Sequence, residues 1–124
     1  MSSPLAFVIE DDKNLSFAYA EAVESAGFQV EIFRDGTEGL ENLKKTVPAL
    51  IILDLNLPGV NGVEILKYVR SDNRLEKTRV LVATADDRTA ELLHGNADIV
   101  LVKPIGFGQL RDLAARLLPK IEVN

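Results

Sequence analysis

Three carboxylates, one hydroxyl and one ammonium stand at matching places in this sequence. Glu10 and Asp11, Asp54, Thr84 and Lys103 each come at the end of a short apolar run. Carboxylates gathered in one place repel, and their pKa values rise unless a cation joins them. A hard divalent cation with oxygen ligands resolves the repulsion, and Mg²⁺ keeping several waters is the natural candidate. Thr84 and Lys103 are then left to meet something anionic, and a phosphoryl group fits. Asp54 alone reads equally well as a residue that ends a strand and starts a turn, and an acidic pair such as Glu10-Asp11 after a strand is usually a solvated turn. The recurrence after four separate runs is the specific signal.

The elements that must position these groups follow from periodicity. Residues 50–53 (LIIL) form an unbroken apolar run, the pattern of a strand buried on both faces. Asp54 closes it, then Leu55, Asn56 and Leu57 lead to the turn pair Pro58-Gly59. Asn61, with Glu64 three residues on, caps the next helix. Residues 5–9 form a second apolar run, ending in Glu10-Asp11-Asp12. Leu15, Ala18, Tyr19, Ala22, Val23 and Ala26 share one face of a first helix, which Gly27 stops. Residues 28–33 alternate, with Phe28, Val30 and Ile32 on one side, as in a strand nearer an edge. Asp35 caps a helix over 36–45 that buries Leu40 and Leu43, and Val47-Pro48 breaks it. A third helix over 62–70 buries Val63, Leu66 and Val69 or their neighbours, and the polar stretch 71–78 reads as a loop. Residues 80–83 form a fourth strand ending at Thr84, and 87–94 allow a short helix before Gly95. Residues 99–102 form a fifth strand before Lys103-Pro104. In the last helix Leu110, Leu113, Ala114, Leu117 and Leu118 share a face, with Gly106 as N-cap, Gln109 at N3 and Pro119 as terminator.

Strands alternating with helices imply right-handed crossovers and a parallel sheet covered on both faces. The expected architecture is α/β: one doubly wound five-stranded parallel sheet, order 2-1-3-4-5. Its carboxyl edge, where open sheets bind ligands, collects Glu10, Asp11, Asp54, Thr84 and Lys103. The 124 residues suit one domain, 1–124, with an ordinary globular composition of 47% hydrophobic and 27% charged residues. A net charge of -5 without a basic cluster argues against nucleic-acid binding by this domain. The absence of cysteine excludes disulfides, thiolate metal sites and thiol nucleophiles. No segment has signal-peptide or membrane-span length, so no membrane contact is expected and the expected location is cytoplasmic.

The motifs Val8-Ile9-Glu10-Asp11-Asp12, Asp54-Leu55-Asn56-Leu57-Pro58-Gly59 with Asn61-Gly62, Ala83-Thr84-Ala85 and Val102-Lys103-Pro104 together resemble the receiver domain of two-component response regulators. The likeness covers essentially the whole chain. It implies a flavodoxin-like three-layer fold and a phosphoacceptor role for Asp54, supplied by a sensor histidine kinase or histidine phosphotransfer protein. It implies Mg²⁺ held directly by Asp11 and Asp54, through water by Glu10, and by the backbone carbonyl of Asn56. Lys103 would contact the phosphoryl group and Thr84 would move toward it. The Lys103-Pro104 bond would be cis. Asn56 and Asp86 would flank the site and tune how fast water reaches the phosphoryl group. The implied product is a switch or phosphorelay element rather than an enzyme, at most catalysing its own phosphorylation and dephosphorylation; the output partner is not named by the sequence.

Two other classes compete. A haloacid-dehalogenase-type phosphatase also uses an aspartate nucleophile, but it generally needs an Asp two residues on, where this chain has Asn56. A receiver-like module that never carries phosphate would not need the full set of acceptor, acid pair, Thr84 and Lys103. His94, at a helix end before Gly95, suits the helix dipole rather than catalysis. Gly106-Phe107-Gly108 lacks the GK[ST] ending of a phosphate loop, and the charges from Glu41 to Lys45 read as a solvated helix face. Two departures from the family pattern stand out. Val100 occupies the usual Tyr or Phe position three residues before the lysine. The stretch from Thr84 to Lys103 is also short by roughly one helical turn of about 5 Å.

Overall fold

The computed structural model describes residues 3–86, 88 and 95–120. The expected short helix at 87–94, the role given to His94 and the last four residues lie outside the described residues. The element order is β1 (Leu5–Ile9), α1 (Lys13–Ser25), β2 (Gln29–Phe33), α2 (Gly36–Leu43), β3 (Leu50–Asp54), α3 (Gly62–Ser71), a 3-10 turn (Asn73–Leu75), β4 (Arg79–Thr84), β5 (Ile99–Val102) and α4 (Phe107–Arg116).

The strands form one parallel sheet in the order β2-β1-β3-β4-β5. The all-apolar run of β3 sits at its centre and is buried at every position. The alternating run of β2 sits at an edge, with Gln29 and Glu31 in solvent. Each face of the sheet carries its own core. One gathers Phe7, Ile9, Ile51, Leu53, Ile65, Leu66 and Val69, with Phe7 and Phe33 packed edge to face at 4.8 Å. The other gathers Val8, Tyr19, Val23, Ile52, Leu81 and Leu110 under α1 and α4. Burying each large aliphatic side chain contributes about 1.5–3 kcal/mol, so β1 and β3, buried on both faces, anchor the strand ends that carry the acids.

Capping sets where the helices begin. Asp12, Asp35 and Asn61 accept from the backbone N–H of Leu15, Glu38 and Glu64 at 2.9, 2.9 and 3.0 Å. Gln109 Oε1 accepts from the Gly106 N–H at 3.4 Å. Two expectations need correction. The buried face of α1 is Ser16, Tyr19, Ala20, Ala22 and Val23, whereas Leu15 is 37% exposed and Ala18 is also exposed. Ser16 tolerates burial because its hydroxyl donates to the Lys13 carbonyl at 2.7 Å. The polar stretch 71–78 contains the 3-10 turn and buries Leu75 and Thr78, the latter donating to the Pro48 carbonyl at 2.7 Å.

Candidate functional site

Parallel pairing brings the strand ends to one edge. Asp54 pairs with Ala83, one residue short of Thr84, and Thr84 pairs with Val102, one residue short of Lys103. The Lys103 N–H donates to the Thr84 carbonyl at 2.7 Å, joining the last two site residues through their backbones. The Lys103-Pro104 bond is cis.

Carboxylate oxygens of Glu10, Asp11 and Asp54 lie within 4.8 Å of one another. Glu10 and Asp54 are buried and Asp11 faces solvent. The Lys103 ammonium reaches in from β5, at 2.7 Å from Glu10 Oε1 and 3.4 Å from Asp54 Oδ1. Glu10 Oε2 accepts from the Asp12 N–H at 3.1 Å, so both its oxygens are engaged. Asp54 Oδ1 also accepts from the Asn56 N–H at 3.3 Å, so the hydrogen bond and the ion pair of this carboxylate among the described residues both fall on Oδ1. Thr84 is buried, and its Oγ1 accepts from the Asp86 N–H at 3.1 Å.

Electrostatics show what this cluster lacks. Burial drives the Glu10 pKa up to about 7. The Lys103 hydrogen bond and the Asp12 N–H pull it down, and the Asp54 charge pushes it up again. Burial lowers the Lys103 ammonium's pKa, but its hydrogen bond to Glu10 and the charges of Asp54 and Glu10 outweigh that, holding it above the usual lysine range. Tyr19, beneath the site, has its phenol pushed up chiefly by burial. The rise at Glu10 is chiefly the cost of burying its charge, and by count one ammonium does not neutralise three neighbouring acids. A divalent cation with oxygen ligands fits this donor set, which offers carboxylates and no thiolate or imidazole.

Each residue expected at the site from the sequence lies on this edge. Glu10, Asp11, Asp54 and Lys103 converge; Thr84 and Asn56 border them. Three contributors escaped sequence reading. The Arg34 guanidinium, just past β2, donates from Nε and Nη2 to the Asp11 carbonyl, both at 3.3 Å. Gly36 and Thr37, at the start of α2, hold the loop that follows Asp54. Nothing in their local pattern signals these contacts, each of which spans more than twenty residues of sequence.

Comparison with known proteins gives a consistent set of likenesses. The family profile described as response regulator receiver domain matches residues 6–115. The chain is 36% identical over 112 residues to the transcriptional regulatory protein PrrA of Mycobacterium leprae, covering 89% of this chain and 48% of that protein. It is 33% identical over 110 residues to the phosphate regulon transcriptional regulatory protein PhoB of Rhizobium meliloti, covering 86% of this chain and 48% of that one. The chain thus spans about half the length of these curated relatives. The solved structure of the chemotaxis response regulator CheY4 of Vibrio cholerae superposes with a TM-score of 0.82 at 25% identity, covering 94% of this chain and all of the other.

Proposed function

The chain belongs to the response regulator receiver domain family, and on that premise we propose that Asp54 is the phosphoacceptor, taking a phosphoryl group from a phosphohistidine on a sensor kinase or phosphotransfer protein. The observation that carries this is the placing of Asp54. It is buried at the end of the central strand, with a lysine ammonium 3.4 Å from one carboxylate oxygen and two further acids beside it.

Among the three acids, Asp54 is the best nucleophile. Glu10 is engaged through both oxygens, one of them on the Lys103 ammonium and the other on the Asp12 N–H. Asp54 Oδ1 is held by Lys103 and the Asn56 N–H, and that grip presents Oδ2. Oδ2 attacks phosphorus, the bond from phosphorus to the donor imidazole breaks, and an acyl phosphate forms on Asp54. Catalysis of such transfers is largely positioning and charge stabilisation. Lys103 would turn from the carboxylates to the incoming phosphoryl oxygens, a reading supported by its ammonium lying between Glu10 and Asp54. Thr84, next to Lys103 through the backbone bond, would offer its hydroxyl to the same oxygens. Asp11 and Asp54, with the Asn56 carbonyl and Glu10 through water, would hold Mg²⁺, which when bound neutralises charge on the phosphoryl group. Asn56 and Asp86 flank the acceptor and tune hydrolysis. In this reading the domain's own chemistry extends no further than its phosphorylation and dephosphorylation, and its output goes to a partner or a further domain.

Incubation with Mg²⁺ and a small acyl phosphate, read by intact-mass and peptide mass spectrometry, tests the assignment. One phosphoryl group is expected on the protein and none on Asp54→Ala. Label at another residue of the variant overturns the assignment. Sustained turnover of many phosphate esters would instead favour the phosphatase chemistry that Asn56 argues against.

A further inference from the structure

The loop of residues 55–62 follows the acceptor and carries Asn56. Its base is closed by the Gly62 N–H donating to the Leu55 carbonyl at 3.0 Å, and Asn61 caps α3. Its tip is held to the start of α2 by two hydrogen bonds of opposite sense. The Gly36 N–H donates to the Pro58 carbonyl at 2.9 Å, and the Val60 N–H donates to Thr37 Oγ1 at 3.3 Å. Both glycines at this junction are dictated by contact. A Cβ at Gly36 would lie inside the Val60 carbonyl. Gly59 has φ +76°, and a Cβ there would collide with the Thr37 hydroxyl. The start of α2 is itself fixed, because Asp35 caps it.

We propose that Thr37, seated by Gly36, is a positioning residue that pins the tip of this loop and so presents the Asn56 carbonyl to the cation beside Asp54. The inference rests on the phosphoacceptor reading above. Residue 56 is exposed and stands only two residues past a buried strand end, so its backbone direction depends on how the loop is held. Releasing the tip lets the loop spread over several arrangements. The apparent affinity for the cation then falls by the fraction of molecules in the competent one. Thr37 is exposed, so replacing it leaves both cores intact.

Mg²⁺ titration of the ¹⁵N-labelled protein, followed by NMR, tests this. Thr37→Val should weaken Mg²⁺ binding about 3- to 10-fold, the equivalent of one net hydrogen bond. It should also speed hydrogen exchange at the Val60 amide. Thr37→Ser should restore both, and the thermal midpoint should change little in either variant. Gly36→Ala, which drives the Val60 carbonyl away, should weaken binding at least as much as Thr37→Val. Wild-type affinity in Thr37→Val, or no rescue by Thr37→Ser, overturns the inference alone. A wild-type protein whose Asp54 and Asn56 amides ignore Mg²⁺ overturns the phosphoacceptor reading, and this inference with it.

Discussion

Glu10 and Asp11 are adjacent acids in different surroundings. Glu10 is buried, with one oxygen on the Lys103 ammonium and the other on a backbone N–H. Asp11 is exposed, and its main chain is held by Arg34. A carboxylate already engaged through both oxygens loses least as a cation ligand when its charge is removed. Asp11→Asn should therefore weaken Mg²⁺ binding by tenfold or more, roughly the value of one charge-assisted contact. Glu10→Gln should cost several-fold less. Calorimetric titration of the two variants decides the order, and equal losses would mean that both side chains bind the cation directly.

At the level of elements, Asp98 shows how a strand start is fixed far from the site. It precedes β5, takes the Val80 N–H at 2.7 Å, and pairs with Arg70 of α3 at 2.9 Å and Arg79 of β4 at 3.0 Å. Burial raises its pKa, but the Val80 N–H and the two guanidinium groups outweigh that and hold it below the usual aspartate range. A folded-state pKa below the unfolded one stabilises the fold above the unfolded value, about 3.9, and the gain is lost as pH falls through the folded value. Asp98→Asn should lower stability to urea by about 1–3 kcal/mol at neutral pH, and the gap to wild type should close below about pH 4. A gap that is constant with pH would show that shape rather than charge holds this corner. Asp98 also marks the limit of sequence reading. Apolar runs and cap residues revealed the strands and the acids at their ends, because a buried parallel strand needs a continuous run and a cap needs a side-chain oxygen, whereas the strand order came from the doubly wound pattern and the receiver resemblance. The ties made by Asp98, Arg34 and Thr37 were illegible, since each joins residues 18 to 28 apart through polar groups common on any surface. The rotation of α1 was hidden for a related reason. Alanine and serine fit an interior or an exterior face, so Ser16 and Ala20 give no periodic signal, while Leu15 lies in the first turn.

Across the whole molecule, the question is how an event at the carboxyl edge changes a distant surface. A change of state needs contacts that differ between the two states. Thr84 supplies one. Its hydroxyl accepts from the Asp86 N–H, and on the proposed phosphoacceptor reading, turning toward a phosphoryl group on Asp54 would withdraw that acceptor and shift the backbone of residues 84–86. β5 is an edge strand, and Val100 on it is half-buried, packed against the core on the Phe7 face and paired in register with Val82. A β-branched side chain is stiff at χ1. With no ring to swing between interior and surface, Val100 cannot fill space left by Thr84 as the aromatic residue of a typical receiver does. On the proposed reading the response would then run along the chain from Thr84 rather than across to β5. Phosphorylation of Asp54, or a phosphoryl mimic, should shift the amide signals of Ala85 and Asp86 most strongly and reach on toward Gly95. The Val100 methyl signals should report one rotamer in both states. NMR spectra of the free and activated forms provide the check. Changes confined to α1 and α4 with residues 85–95 silent, or a second Val100 rotamer in the activated form, would mean that the signal leaves by another route.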